Sequence, residues 1–400
     1  MSDHNKHLVP VSKGLVTTVG RQLAITEKLL ATHTYTAILV PQLGHDDYVN
    51  SVAFSPDGRL IASGGGGGTI HLWEAESGVC LRVMQADSAR IFSVAFSPNG
   101  RMLASGGEDH IIRLRDTESG ACLRVLEGHS FHIETVAFSP DGRMIASGGG
   151  DGTIRLWEPN SGRCLRVCQC LAAKIYAVAF SPDGRLLAAG GTDHTIHLWE
   201  LERENRLLQL QGHSAEVASL TFSPDGSMLA SGGWDGTIRL WDAGSWDCIR
   251  VMAVNSKCIS SVSFSPCDQM IAAGEENDTI GLWDIGNGAC LKVFKGHSDY
   301  VSSAVFSPNG RMIASGGWDG SVRLWDVKAG ECLAVLYSFS DNSWAVFAPD
   351  GRYDSSDSGE SLWLRWTVSM KSYPVTKFKD RYYTPGLLAQ VLASSATTDA

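Results

Sequence analysis

The sequence predicts an all-β chain: a closed β-propeller of four-stranded blades. Three observations carry this reading. The phenylalanine of FSPDG, or a close variant, falls at 54, 96, 138, 180, 222, 264 and 306, an interval of 42 residues each time. Each interval holds four short runs of alternating polarity, such as IETVAF, RMIASGG, TIRLWE and CLRVC in the third unit. SPDG, GGDG and SG turns separate the runs, and Asp-Gly or Asn-Gly between alternating apolar runs is the strongest short hairpin signal. Four antiparallel strands per unit, repeated in tandem, make a propeller blade rather than a helical solenoid pair. The repetition overrides the two or three domains that 400 residues would otherwise suggest.

In chain order, residues 1–33 form an N-terminal segment. Leu15, Val19 and Leu23 lie four apart within 11–31, with Leu30 extending the stripe, which suggests a short amphipathic helix. The propeller follows over 34–372. A second period underlies the first: Gly-His precedes the odd units (His45, His129, His213, His297), whereas Asp87, Leu171 and Asn255 stand there in units two, four and six. The duplicated element is thus a pair of blades, and pairs favour an even total of eight. An eighth, weaker copy, VFAPDGR at Phe347, is followed by SLWLRW in the register of a third strand, with Trp366 as far from Phe347 as Trp73 is from Phe54. The N-terminal strand 35–41 would then complete the last blade and leave no open sheet edge. The rival is a ring of seven with the tail outside, and YPVTKF (373–378) is a further candidate for closing the eighth blade. Residues 373–400 are a C-terminal tail with a short helix expected after Pro385-Gly386.

The net charge of −10 and scattered basic residues argue against a nucleic-acid surface. No apolar run approaches the ~20 residues of a membrane span, and the N-terminus lacks a secretory apolar region. A cytoplasmic, monomeric propeller is expected. Cys80, Cys122, Cys164, Cys248, Cys290 and Cys332 recur at one register, which reads as a framework choice of buried reduced thiols. Cys168 and Cys170 have no partner pair, so no metal site and no cofactor are expected.

GHS…VAFSPDG…IASGG-DGTIRLWD resembles the WD-repeat family, over about residues 34–370 in seven full units and part of an eighth. Near-identity between units resembles bacterial propellers of recent duplication. The tail, DNSWAVFAPDGRYDSSDS onward, resembles more loosely a segment that ends bacterial WD-repeat regions joined to caspase-like peptidases. No peptidase follows here, so no protease activity is implied.

His129, Ser147, Asp151 and Trp157 make a serine-hydrolase-like set that recurs as His213, Ser231, Asp235, Trp241 and as His297, Ser315, Asp319, Trp325. A nucleophile needs one strained, exposed site, so three equivalent copies do not fit catalysis. The family resemblance implies a structural hydrogen-bond network, with the aspartate accepting from His, Ser and the indole. Blade one has Gly67 for Asp and blade two Arg115 for Trp, so these blades should be looser. The run Gly64–Gly68 lacks the lysine of a phosphate loop and reads as a hairpin turn.

Positions that differ between near-identical copies are free of the framework's constraint. Six residues before the phenylalanine stand Tyr48, Arg90, His132, Lys174, Glu216, Cys258 and Tyr300; four before, Asn50, Phe92, Glu134, Tyr176, Ala218, Ser260 and Ser302; twelve after, Gly66, Glu108, Gly150, Thr192, Trp234, Glu276 and Trp318. Strand alternation points the first two sets the same way, and the meander brings the third to the same end. Trp234, Trp318, Tyr48, Tyr300, Phe92, Tyr176, Arg90, Lys174, Glu108 and Glu276 are therefore the candidate partner-binding residues, since interfaces concentrate energy in Trp, Tyr and Arg. In the family this resembles, that face commonly engages partners. The reading is a non-catalytic scaffold or recognition propeller for a protein or peptide. One alternative is the sensor subunit of a bacterial regulatory or defence system recruiting a separate effector. Another is a propeller enzyme with Glu108, Glu134, Glu216 and Glu276 at the channel mouth.

Overall fold

The computed structural model describes residues 37–41, 48–86, 90–170, 172–203, 205–339, 341–360, 364–368 and 371–397. The expected helix in 11–31, His45, Asp87 and Leu171 lie outside them. Blade 1 consists of Val49–Phe54, Leu60–Gly65, Thr69–Glu74 and Cys80–Gln85, paired antiparallel in chain order. The same meander repeats through blade 7, whose strands are Val301–Phe306, Met312–Gly317, Val322–Asp326 and Cys332–Ser338. First strands neighbour first strands around the ring, and blade 7 meets blade 1 as the other neighbours meet.

The ring therefore closes at seven blades, not the eight that the paired period favoured. Two repeating contacts include the seam. A serine hydroxyl on one first strand accepts the N–H two residues before the next blade's phenylalanine: Ser51 from Val94, Ser93 from Val136, Ser219 from Val262, Ser261 from Ala304, and Ser303 from Val52. On the opposite end, the SPDG proline lies beside the turn glycine of the following blade at six of the seven junctions, as Pro56 beside Gly100 and, across the seam, Pro308 beside Gly58, where a Cβ would stand 3.5 Å from the proline ring. That turn is held internally, Ser55 donating to Asp57 at 2.6 Å and accepting from Leu60 N–H at 2.9 Å. Gly58 has φ +73, which favours glycine. The near-invariant SPDGR is thus a structural rim.

The paired glycines have separate reasons. A Cβ on Gly106 would stand 2.5 Å from Ile133 of the next blade, and one on Gly107 1.9 Å from its own blade's Arg90 carbonyl. The first glycine admits the neighbouring blade and the second admits the chain entering the first strand. At Gly316 the neighbour is Val49 of blade 1, so blade 1 fills the place that an eighth blade would need.

The eighth unit takes another role. Trp344–Phe347 pairs with the fourth strand of blade 7, and Tyr353–Ser355 pairs with it in turn, giving blade 7 six strands. Ala37–Pro41 pairs with Leu364–Val368, Leu39 opposite Trp366, as the sequence suggested, but the two join Lys371–Pro374 in a separate three-stranded sheet instead of a blade. The helix Leu387–Thr397 then spans the seam. Its Leu388 is fully buried, in one cluster with Val346 and Leu333 from blade 7's side and Trp73 and Ala75 of blade 1.

The register cysteines are not buried. Each begins a fourth strand, which is the outermost strand in every blade but the seventh; Cys122, Cys248 and Cys290 are exposed and Cys80, Cys164 and Cys332 half-buried, all as free thiols.

Candidate partner-binding rim

One backbone hydrogen bond assembles the rim in every blade. The N–H of the residue twelve after the phenylalanine donates to the carbonyl of the residue six before it: Gly66 to Tyr48, Glu108 to Arg90, Gly150 to His132, Thr192 to Lys174, Trp234 to Glu216, Glu276 to Cys258 and Trp318 to Tyr300, at 2.7–3.1 Å. Two of the variable sets are thereby adjacent throughout.

The third set reaches the rim by a route other than strand alternation. In blade 1, Val49 pairs with Gly65 and Ser51 with Gly64, which leaves Asn50 as the extra residue of a β-bulge. All seven first strands carry this bulge, and a bulge re-aims its side chain. Asn50 uses this to donate to the Ile91 carbonyl at 2.9 Å. Ser260 and Ser302 likewise donate to the carbonyls of Val301 and Val49 in the next blade. Three of the seven variable residues there are ties between blades, a role their identity alone did not reveal.

The aromatic residues gather in three groups. Trp318 lies 4.9 Å from Tyr300 and 5.4 Å from Tyr48 across the seam, measured between ring centres. Trp234 lies 5.3 Å from Tyr176 of the preceding blade. Phe92 meets His132 edge-on at 5.9 Å, and Phe131 lies 4.3 Å from His132 and 5.9 Å from His110. Phe131 and His110 were not foreseen; the signal was GHSF in unit three where GHSD and GHSA stand elsewhere. Phe131 also explains Gly150, which stands where units five and seven have tryptophan. A Cβ on Gly150 would sit 2.6 Å from the Phe131 ring. An aromatic therefore caps this turn in all three blades, with exposures of 43% for Phe131, 40% for Trp234 and 46% for Trp318.

Ionisable groups lie between the rings. Arg90 and Glu276 are exposed; Glu108, Lys174 and Glu134 are half-buried. Burial raises the Glu134 carboxyl, against the pull of Lys174 and His132. Burial also raises the Tyr176 phenol, with Glu134 and Glu216 adding to it. Burial lifts the Tyr300 phenol most, beside the Cys258 thiol at 3.7 Å.

The hydrolase-like sets lie beneath this rim. In blade 3 the Trp157 indole donates to Ser147 at 2.9 Å, Ser147 bonds His129 Nε2 at 2.7 Å, and His129 Nδ1 bonds Asp151 at 3.1 Å. Serine, rather than aspartate, receives the indole, which corrects the expected pattern. His213, Ser231, Asp235 and Trp241 repeat the chain, as do His297, Ser315, Asp319 and Trp325. Burial lowers all three imidazoles, opposed by the aspartates. Burial alone would raise the Asp151 carboxyl, but hydrogen bonds from the Ser130 N–H and from Thr153 outweigh it and hold it at about 2. A neutral imidazole linking serine to an ionised aspartate satisfies every polar atom. Ser147, Ser231 and Ser315 are fully buried, so none can meet a substrate. In blade 1 Trp73 donates to Ser63 at 2.9 Å; in blade 2 the Arg115 guanidinium takes the indole's place, at 3.0 Å from Ser105.

Among the described residues no helix is long and apolar enough to cross a membrane, and no group of three or more His, Cys, Asp or Glu residues could hold a metal ion.

The family model described as WD domain, G-beta repeat matches seven times, at 36–74, 78–116, 120–158, 162–200, 204–242, 246–284 and 288–326. From the second onward, each match starts just before the fourth strand of one blade and ends on the third strand of the next. The first match thus starts on Ala37–Pro41, which blade 7 does not use because Cys332–Ser338 already fills that place. Among curated proteins, Small ribosomal subunit protein RACK1 of Glycine max is 53% identical over 45 residues, 11% of this chain and 14% of that protein. RACK1y of Oryza sativa subsp. japonica is 54% identical over 43 residues, 11% and 13%. Periodic tryptophan protein 2 homolog of Dictyostelium discoideum is 45% identical over 42 residues, 10% and 5%. The chain matches at most 14% of the length of these relatives, about one repeat. Seven repeats over most of the chain, in seven closed blades, make this protein a member of the WD-repeat family.

Proposed function

We propose that this propeller is a non-catalytic protein–protein interaction scaffold that binds a protein or peptide across the rim carrying Phe131, Trp234 and Trp318. The observation that carries the reading is the exposure of these three large rings at one register, each braced by a second ring and set among charged groups. Solvent-exposed tryptophan has no role in holding a blade together, and exposed apolar patches rimmed by charge mark interaction sites. Aromatic anchors of this kind cost roughly 2 kcal/mol or more each when truncated. Tyr48 and Tyr300 brace Trp318, Tyr176 braces Trp234 and Phe92 meets the His132 that braces Phe131, while Arg90, Lys174, Glu108 and Glu276 set the charge pattern a partner must match.

The test is affinity capture from native lysate with wild type and a Trp234→Ala/Trp318→Ala variant, beside an Arg143→Ala variant on the SPDGR rim. Species held by wild type and the Arg143 variant should be lost from the double variant. Equal recovery by all three would remove this rim as the binding surface.

A further inference from the structure

Blade 6 departs from blade 7 at every point of the buried network except the tryptophan, which is Trp283. Its counterparts of His297, Ser315, Asp319 and Arg323 are Asn255, Ala273, Asn277 and Gly281, and Glu275 stands where the other six blades have glycine. The last change excludes the histidine. A Cβ at the equivalent Gly317 would sit 2.5 Å from His297 Nδ1, so a glutamate and an imidazole cannot share the position.

The result is a crevice of about 670 Å³ in which an indole N–H without an acceptor lies beside a buried carboxylate. Trp283 is 8% exposed, and its Nε1 has lost the serine acceptor and bonds nothing. Glu275 is 4% exposed, and Thr279 donates to its Oε2 at 2.6 Å. Burial pushes its carboxyl up. A Cβ on Gly281 would collide with both Trp283 Nε1 and Glu275 Oε1. Both groups therefore converge on the spot where blades 2, 3, 5 and 7 carry the side chain of Arg113, Arg155, Arg239 and Arg323. Burying an indole N–H with no acceptor, and a carboxylate with neutral donors as its only partners, is costly.

A ligand that satisfies both must offer a cation and an oxygen acceptor a few bonds apart. We propose that this crevice binds an α-ammonium group with its adjacent carbonyl: the ammonium on the Glu275 carboxylate, the carbonyl oxygen accepting from Trp283 Nε1, and the side chain along Val254 and Val293, which line the same space. A chain N-terminus and a free amino acid share this chemistry. The site is separate from the aromatic rim and does not depend on the reading given to it.

The experiment uses the full chain labelled with 5-fluorotryptophan, the Trp283 resonance being the one missing from Trp283→Phe. L-Leucinamide should shift that resonance saturably, while N-acetyl-leucinamide, which lacks the charge, should not. Glu275→Gly, which restores the residue of the other blades, should weaken binding roughly tenfold or more, as loss of a charged hydrogen bond requires. Trp234→Ala/Trp318→Ala should bind leucinamide as wild type does. Free leucine is the third probe: tighter binding than leucinamide supports the site as one for amino acids, and weaker binding supports it as one for chain N-termini. A Trp283 resonance unmoved by leucinamide and leucine, an equal response to the acetylated probe, or unchanged affinity in Glu275→Gly overturns the proposal.

Discussion

Blades 6 and 7 are neighbours with the same strand order, yet they are stabilised differently. Blade 7 buries a complete chain from Trp325 through Ser315 and His297 to Asp319, with Arg323 near the carboxylate at 3.7 Å. Blade 6 has none of these bonds and still forms four paired strands. Ile271, Ile280 and Phe294 are buried in blade 6 as Ile313, Val322 and Leu336 are in blade 7. Strand pairing and apolar burial therefore build a blade, and the polar network is an addition that a blade can exchange for a cavity. The outer edges differ as well. Leu333 of blade 7 lies under the added hairpin at 6% exposure, whereas the matching Leu291 of blade 6 is 46% exposed on a bare edge.

The largest expected effect is at the carboxylate. Asp319→Ala removes a buried partner from His297 and should cost about 3–5 kcal/mol. Asn277→Ala, at the exposed equivalent in blade 6, should stay below about 1 kcal/mol. Thermal unfolding of both variants measures the gap, and equal losses would mean that blade 7 does not depend on its network. Next come the edges. Leu333→Ala should cost about 2–4 kcal/mol, and Leu291→Ala less than about 0.5 kcal/mol. A comparable loss from both in denaturant titration would show that the hairpin does not protect blade 7.

The smallest effect is a difference in sign. Burial depresses the His297 imidazole, so its stabilising share is complete above the ~6.5 of an unfolded histidine and declines as pH falls below it. Burial raises the Glu275 carboxyl, so its share is complete below the ordinary carboxylate value and is lost as pH rises through the raised one. Acidification from pH 7 toward 5 should thus lower protection at Leu324 of blade 7 and raise it at Leu282 of blade 6. Hydrogen–deuterium exchange, corrected for intrinsic rates, reads both amides, and a shift of both in one direction would contradict the opposed assignments.

Much of this was legible in the spacing. The interval of the FSPDG phenylalanines located every first strand, and agreement between copies marked Gly106 and Gly107 as framework before any contact was visible. The variable positions were found as a set, and two of the three groups lie side by side. The bulge at Asn50 was not legible, because a residue skipped in pairing looks the same in sequence as one that is paired. Phe131 was missed because it is displaced in sequence from Gly150, the residue it covers. The exposed cysteines were misread because one register does not say which strand of a blade is outermost.

The sequence by itself determined the blade: alternation, turns and paired glycines are local, and every copy but the sixth, which has Asp268 and Glu275 in place of two glycines, carries them in full. Only the tertiary structure decided how many blades close the ring. Closure depends on whether blade 1 meets the last blade through contacts such as Val49–Gly316 and Ser303–Val52, which have counterparts between other neighbouring blades. That is a property of the accumulated rotation between blades, which no single repeat encodes. Once seven blades met, the eighth unit had no gap to enter, and its strands added to the outside of blade 7 instead.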